Sequence, residues 1–517
     1  MTTEPTTISA VLIVKDEEDV LEECLAALAW VDEVVVYDTG STDRTREIAA
    51  RHAGVVVEGF WDDDFGAARN RALAAATSGW VLIVDADEVF TGDPAAVRRL
   101  LEGAPGTGTD RFRLIVRNKD VAAQVAGGDA ASVRVFRRGA YHYAGRLHEQ
   151  VVPASRTREG RIGLVPSVQL VHSGYAAAAM ERHDKAQRNL DLARRDLDAA
   201  VRSGAGAEEL ALRQANLARS LGMAGEFRDA LELADQVVAD GALPGGALLA
   251  LSLTMAGAAA AAADTDLVDA WLDRWESIDH TPVWARSMRV RAAIHRGDLE
   301  HARDLLDTLP TTSVDPVGRR FVKHEIADVH VQCLVGLGRG RDAARVALDA
   351  ARAGYPSVAP SALHDLFSAP GRDVRTIVDA LHPTLWRRYA AWCGSDPRPE
   401  AMAFLEAMAS ARPGDLSVLV YAAALTHRMN LVELVDWSIR VRGAGLEEMC
   451  PLITAGQDLE RDARSRALAA ATAVSTFDDA RGLAALEAAL GDVPPQDEEL
   501  VLAELGVVAP GLVSATV

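Results

Sequence analysis

The sequence predicts two architectures in one chain: an open, mostly parallel α/β sheet over residues 1–180 and an all-helical region after it. Three observations carry this. Short apolar runs rich in valine and isoleucine alternate with helical patterns up to about residue 90. Two aspartates, Asp85 and Asp87, follow one of those runs directly. From about Ala176 strand signals almost vanish, and alanine, leucine and arginine recur at helical spacing.

Ile8 to Val14 reads as a first strand buried on both faces. Lys15-Asp16-Glu17-Glu18 follows, then a helix through Val20, Leu21, Leu25 and Leu28, with acidic residues suited to its first turn. Glu33 to Tyr37 reads as a second strand, ending in Asp38-Thr39-Gly40-Ser41-Thr42-Asp43; a turn glycine and then a Ser or Thr N-cap should precede a helix over Arg44–Arg51. Val55 to Glu58 is a short third strand, Phe65 to Ala76 a helix, and Trp80 to Val84 a fourth strand. Alternation with short connections predicts a doubly wound sheet, with Asp38 and Asp85 at the carboxyl ends of their strands. If the fourth strand continues, Asp85 and Asp87 face one side and offer two hard oxygen ligands to Mg²⁺ or Mn²⁺ carrying a phosphorylated substrate. A solvated Asp-rich loop is the plainer alternative.

Val14-Lys15-Asp16-Glu17-Glu18, Asp38-Thr39-Gly40-Ser41-Thr42-Asp43, Asp64-Phe65 with Ala68-Arg69-Asn70, and Asp85-Ala86-Asp87-Glu88 occur in this order. A later block runs Arg134-Val135-Phe136-Arg137, Tyr143-Ala144-Gly145-Arg146-Leu147-His148-Glu149-Gln150 and His172-Ser173-Gly174-Tyr175. This set resembles the family 2 glycosyltransferases, which have the GT-A fold, and a bacterial subgroup with helical repeats behind the catalytic domain that includes peptide S-glycosyltransferases. The resemblance covers roughly the first 200 residues. One departure is Asp16, where the subgroup usually has asparagine.

The resemblance implies a metal-dependent inverting transferase that moves a sugar from a UDP- or GDP-type nucleoside-diphosphate sugar to a peptide, polysaccharide or small-molecule acceptor. In it Asp85 contacts the ribose or the metal and Asp87 is the direct ligand. His172, after the apolar run Val168-Gln169-Leu170-Val171, completes the metal site. Asp38 accepts a hydrogen bond from the base, and Asp64 lies beside the same pocket. Arg69 suits the phosphates, because arginine makes bidentate contacts with them; an ordinary surface-helix arginine is the alternative. Glu149 is the candidate base and His148 its reserve, set against a simple loop salt bridge between Glu149 and Arg146. Acceptor choice should rest on irregular segments such as Asn118 to Ala131.

Other classes fit less well. A sugar nucleotidyltransferase needs a Gly-rich phosphate loop after strand one, where this chain has Lys15-Asp16-Glu17-Glu18. A phosphatase with an Asp-x-Asp nucleophile wants that pair after its first strand. A helical-repeat binding scaffold with a decayed GT-A domain is the competing reading, and retention of both aspartates, Arg69 and Glu149 argues against it.

At 517 residues the chain implies two or more domains. Its net charge of −21 divides as −7 over residues 1–175 (19 basic, 26 acidic) and −14 over the remainder, so no basic half suits nucleic acid. Cys24, Cys333, Cys393 and Cys450 have no metal-type spacing and read as buried thiols of a reducing compartment; with no leader pattern in Met1 to Thr7, the expected location is cytoplasmic. Gly245 to Ala263 is uncharged but mainly alanine and glycine, so no membrane span is expected.

In the helical half, four short polar turns begin at Gly225, Asp264, Gly297 and Gly338, 33 to 41 residues apart, each followed by an amphipathic helix. That is the period of helix-turn-helix repeats, here degenerate tetratricopeptide-like ones over 181–350. Prolines 356, 360 and 370 mark a break before a further helical region over 351–517, with a tail from Pro510. The half reads equally as a dock for an acceptor peptide or partner protein and as a buttress that makes a homodimer. Trp271, Trp275 and Trp284 read as packing residues, not a sugar platform.

Overall fold

The computed structural model describes residues 6–118, 130–155, 160–172, 179–279, 281–314 and 320–513. The chain divides into two units, Met1–Lys323 and His324–Val517.

The first unit is built on β1 (Ile8–Val14), β2 (Glu33–Asp38), β3 (Val55–Glu58), β4 (Trp80–Ile83), β5 (Glu88–Gly92), β6 (Thr109–Asn118), β7 (Ala130–Arg137) and β10 (Arg161–His172). They form one sheet in the order β3-β2-β1-β4-β7-β6-β10-β5. The strands from β3 to β4 are parallel. Beyond β4 the sheet is mixed: β7 runs antiparallel to β4 and β6, β10 is parallel to β6, and β5 closes the edge antiparallel to β10. The sheet is therefore mostly parallel only in the half that the sequence pattern covers. A separate hairpin, β8 (Tyr141–Ala144) and β9 (Gln150–Pro153), completes the domain.

Both sheet faces are covered, which explains the unbroken apolar runs. On one face Ile8, Ala10, Leu12 and Val14 of β1 join Leu21 and Leu25 of α1 (Leu21–Ala26), Ile48 of α2 (Thr45–His52), and Val97 and Leu101 of α4 (Pro94–Thr107). On the other, Val11, Val81, Ile83 and Phe136 meet Ala68 and Ala72 of α3 (Phe65–Ala75) and Tyr141 and Tyr143 of β8. The residue before α2 is Arg44 and its side chain makes no capping bond, so the expected Ser or Thr N-cap is not used.

The same unit continues through helices α5 (Ala179–Ser203), α6 (Ala207–Ala224), α7 (Phe227–Ala239), α8 (Gly245–Ala261), α9 (Thr265–Ile278), α10 (Val283–His295) and α11 (Leu299–Thr308). The polar turns act as predicted: Asp264 caps α9 through the Leu267 amide and Asp298 caps α11 through the His301 amide. Alanines 230 and 302 are fully buried where the helices approach, and Val268 serves that role in α9. Trp271 and Trp275 are core residues, and Trp284 packs edge-on to Phe321 at 5.3 Å. Among the described residues no helix is long and apolar enough to cross a membrane.

The second unit is a run of helices from Ala327–Gly336 to Pro510–Val513 around a core that includes Leu363, Tyr389, Phe404 and Leu452. The units part after Lys323, ahead of the proline-marked stretch; Pro360 instead opens the helix Pro360–Ser368, where its missing N–H breaks no bond. All four cysteines are buried and free.

Candidate active site

Asp38 and Asp85 lie at one edge of the sheet, at the carboxyl ends of β2 and β4, and Arg69 links Asp85 to Glu149 in the turn before β9. Asp38 ends β2 and is only 2% exposed. Its Oδ1 accepts the amides of Gly40 (2.7 Å) and Ser41 (2.8 Å), which folds the turn; Gly40 has φ 115°, a backbone state that disfavours any side chain. The buried Oδ2 has no hydrogen-bond partner among the described residues. An unmet buried acceptor is costly, and this oxygen retains the capacity to accept a donor N–H. The two loops beside it are interlocked: Asp16, at φ 53°, accepts the Thr42 amide at 2.7 Å, and the Glu17 amide donates to Thr45 at 2.7 Å.

The α3 motif has a distinct task for each residue. Ala68 is fully buried against the sheet. Asn70 pairs with both backbone groups of Tyr143, donating to its carbonyl at 2.9 Å and accepting its amide at 2.8 Å. Arg69, between them and 12% exposed, donates through Nη2 to Asp85 at 2.8 Å and through Nε to Glu149 at 2.7 Å. Asp64 caps the helix through the Ala67 amide at 2.7 Å, and its other oxygen is 4.0 Å from Arg146. Glu149 thus pairs with Arg69 and not with Arg146.

Asp85 holds a second arginine. Its Oδ2 accepts Arg134 Nη2 at 3.1 Å, and the same guanidinium donates to Glu88 at 2.6 Å. Glu88 also accepts the Asp85 amide at 3.0 Å. Burial works against the Asp85 charge, but Arg134 and Arg69 outweigh it and hold its carboxyl below the usual range. Glu88 is 1% exposed, and burial pushes its carboxyl up to about 7 in spite of Arg134. Arg134 and Glu88 were missed as site residues. The signal for Arg134 is its charge within the otherwise apolar Val133-Arg134-Val135-Phe136 run of β7; Glu88 directly follows the aspartate pair.

One expectation changes. β4 stops at Ile83, and Asp85 to Glu88 form a tight turn closed by the Glu88 amide on the Asp85 carbonyl at 3.0 Å, so the aspartates do not lie on one continuing strand. A turn keeps their charges out of the sheet interior, where pairing geometry would leave them unsolvated. His148 stands at φ 54°, with its buried Nε2 unbonded among the described residues. Burial and the neighbouring Arg219 lower its pKa to about 4, which keeps it neutral at physiological pH and makes it a weak base.

The oxygen donors that this turn would offer a hard divalent cation are the ionised Asp85, both of whose oxygens are bonded to arginines, and the partly exposed Asp87. The backbone of His172 ends β10 paired with Glu88, beside the same turn; its side chain lies outside the described residues. Among the described residues no three His, Cys, Asp or Glu side chains converge as a metal-ligating group. Residues 119–129, which cover most of the expected acceptor segment, and 173–175 also lie outside them.

Residues 9–111 match the family model for glycosyl transferase family 2. The SPbeta prophage-derived glycosyltransferase SunS of Bacillus subtilis is 27% identical over 195 residues, 36% of this chain and 44% of that protein. An uncharacterized glycosyltransferase of Mycobacterium bovis is 39% identical over 100 residues, 19% of this chain and 45% of that one. A TPR repeat-containing protein of Synechococcus elongatus is 50% identical over 82 residues, 16% of this chain and 20% of that one. The chain thus spans between a fifth and less than half of the length of these relatives. Residues 9–111 thus match glycosyl transferase family 2, within an α/β sheet domain that is followed by helical hairpins.

Proposed function

We propose that the protein is an inverting glycosyltransferase that uses a nucleoside-diphosphate sugar, UDP- or GDP-type, and a divalent cation. The observation that carries this reading is the chain Glu149–Arg69–Asp85–Arg134–Glu88, in which one buried guanidinium ties the candidate base to the donor-side aspartate. Asp38 takes the base of the nucleotide through its unmet Oδ2. Asp85 and Asp87, with His172, hold the cation, which supplies charge stabilisation for the departing diphosphate when bound. Glu149 accepts the acceptor's proton as that atom bonds to the anomeric carbon and the bond from that carbon to the diphosphate oxygen breaks. His148 is the second candidate, with its ring buried beside Arg219.

Glu149→Gln tests the assignment. Donor affinity should persist while the turnover number falls about 10² to 10⁴-fold. Release of nucleoside diphosphate at the parental rate would remove Glu149 from the role.

A further inference from the structure

We propose that Tyr143 of β8 is a sugar-binding residue, whose phenol hydrogen-bonds a hydroxyl of the sugar being transferred, in the cavity shared by Asp85 and Glu149. The inference rests on the donor reading above, and deepens it by assigning a residue to the sugar itself.

The cavity measures about 570 Å³, within the size range of small-molecule sites, and Tyr143 lines it together with Arg69, Asp85, Arg134 and Glu149. Both backbone polar groups of Tyr143 are spent on Asn70, at 2.9 and 2.8 Å. Its ring is held from two sides, edge-on to Phe136 at 6.3 Å between centroids and 5.5 Å from the Arg69 guanidinium carbon. A tyrosine buried to this degree ordinarily gives its O–H a partner. Here the phenol makes no hydrogen bond among the described residues, yet its oxygen is not one of the unpartnered atoms sealed inside the protein. The charged groups that act on it are Arg69, Arg134, Glu149 and Asp85, and all four line the cavity. The phenol oxygen therefore opens on that space. Burial pushes its pKa up to about 12, so at neutral pH it is an uncharged O–H that can both donate and accept.

The reaction assigns this position to the sugar. In the proposed chemistry the diphosphate lies on the Asp85 side and the acceptor atom at Glu149. The transferred sugar is the one part of the substrates joined to both, because its anomeric carbon is bonded to the first and attacked by the second. Asp85 and Glu149 stand one guanidinium apart, bonded to Arg69 at 2.8 and 2.7 Å. Arg69 and Arg134 already hold carboxylates. The phenol is a neutral group among these paired charges, and a neutral group suits a sugar hydroxyl better than a phosphate.

The test is calorimetric titration of the full chain, in Mg²⁺, with UDP-glucose, UDP-galactose, UDP-N-acetylglucosamine and GDP-mannose; the donor bound most tightly is carried forward. Tyr143→Phe keeps the ring and its packing and removes only the hydroxyl. It should bind that donor about three- to tenfold more weakly, with affinity for the matching UDP or GDP within about twofold of the parent. Monodeoxy analogues of the donor then locate the bond. One of them should bind the parent with a similar loss, and should bind Tyr143→Phe as well as the intact donor does. The proposal is overturned if Tyr143→Phe binds the donor like the parent, since the phenol then meets only water. It is overturned equally if donor and bare nucleotide weaken together, which marks a structural role, or if no monodeoxy analogue binds the parent more weakly. A protein that binds neither nucleotides nor sugar nucleotides would sink the donor reading and this assignment with it; normal nucleotide binding with an indifferent Tyr143→Phe would sink the assignment alone.

Discussion

At the scale of the residue, the site is a balance of charges that share partners. Asp85 is bonded to two guanidinium groups that are each 12% exposed. Asp85→Ala would leave both without their common carboxylate, so it should cost about 3 kcal/mol of stability as well as activity. Asp87→Ala should abolish sugar transfer with a stability change of about 1 kcal/mol or less. Denaturant midpoints measured beside turnover check the pair; equal destabilisation by the two would contradict the division of labour. Glu88 makes a pH prediction. Its carboxyl is raised from 4.5 to about 7 by burial, so between these values the folded protein binds more protons than the unfolded one and stability falls as pH rises. His148, lowered from 6.5 to about 4, has the opposite sign: over that window the unfolded chain binds more protons and stability rises with pH. Glu88→Gln removes only the first contribution. Its stability relative to the parent should therefore climb between pH 4.5 and 7, as followed by urea titration at each pH; a constant difference would place Glu88 outside the titrating network.

At the scale of the element, what was legible in the sequence is what short-range periodicity and strand ends encode. β1 to β4, the helices between them, and the position of Asp38 and Asp85 follow from apolar runs and turn residues. The antiparallel insertion of β7 between β4 and β6 does not, because it depends on long-range pairing that leaves no local pattern. For the same reason Arg69 reads from sequence as a phosphate ligand, and its two carboxylate partners, 16 and 80 residues away, emerge only in the fold. The contact between α3 and the turn before β9 is just as hidden. The Phe65 amide donates to the Arg146 carbonyl at 3.0 Å, and a Cβ on Gly66 would lie 2.5 Å from the Gly145 carbonyl oxygen. Gly66→Ala must push that turn, and Glu149 with it, away from Arg69. A displacement near 1 Å at a reacting group can cost about 10²-fold, so kcat should fall by one to two orders of magnitude. UDP affinity, assigned to the β2 end in the proposed function, should stay within about threefold. A variant with parental kcat would show that the turn and α3 are not coupled.

At the scale of the whole molecule, the first helices behind the sheet belong to the site's support. Arg195 of α5 bonds Asp63 at 2.5 Å, in the loop before α3. Arg219 of α6 is close enough to His148 to depress its pKa, and a Cβ placed on Gly145 would lie 3.6 Å from Arg213 Nη1 of the same helix. The turn that carries Glu149 is therefore held between α3 and α6. Arg195 and Asp63 are exposed, so their pair contributes little; the larger effect of losing α6 would be to remove the helix packed along α5 and to take Arg219 from beside the buried His148. These contacts predict different fates for two truncations. A chain ending at Lys323 keeps the first unit whole and should unfold in one cooperative transition, with donor hydrolysis within about threefold of the full chain. A chain ending at Ser203 retains every proposed catalytic residue but lacks α6, and should lose most donor hydrolysis and melt at lower temperature. Thermal melts and nucleoside-diphosphate release measured on both would settle it: full activity in the shorter chain would reduce these helices to an appendage, and an inactive 1–323 chain would make the second unit part of the working enzyme.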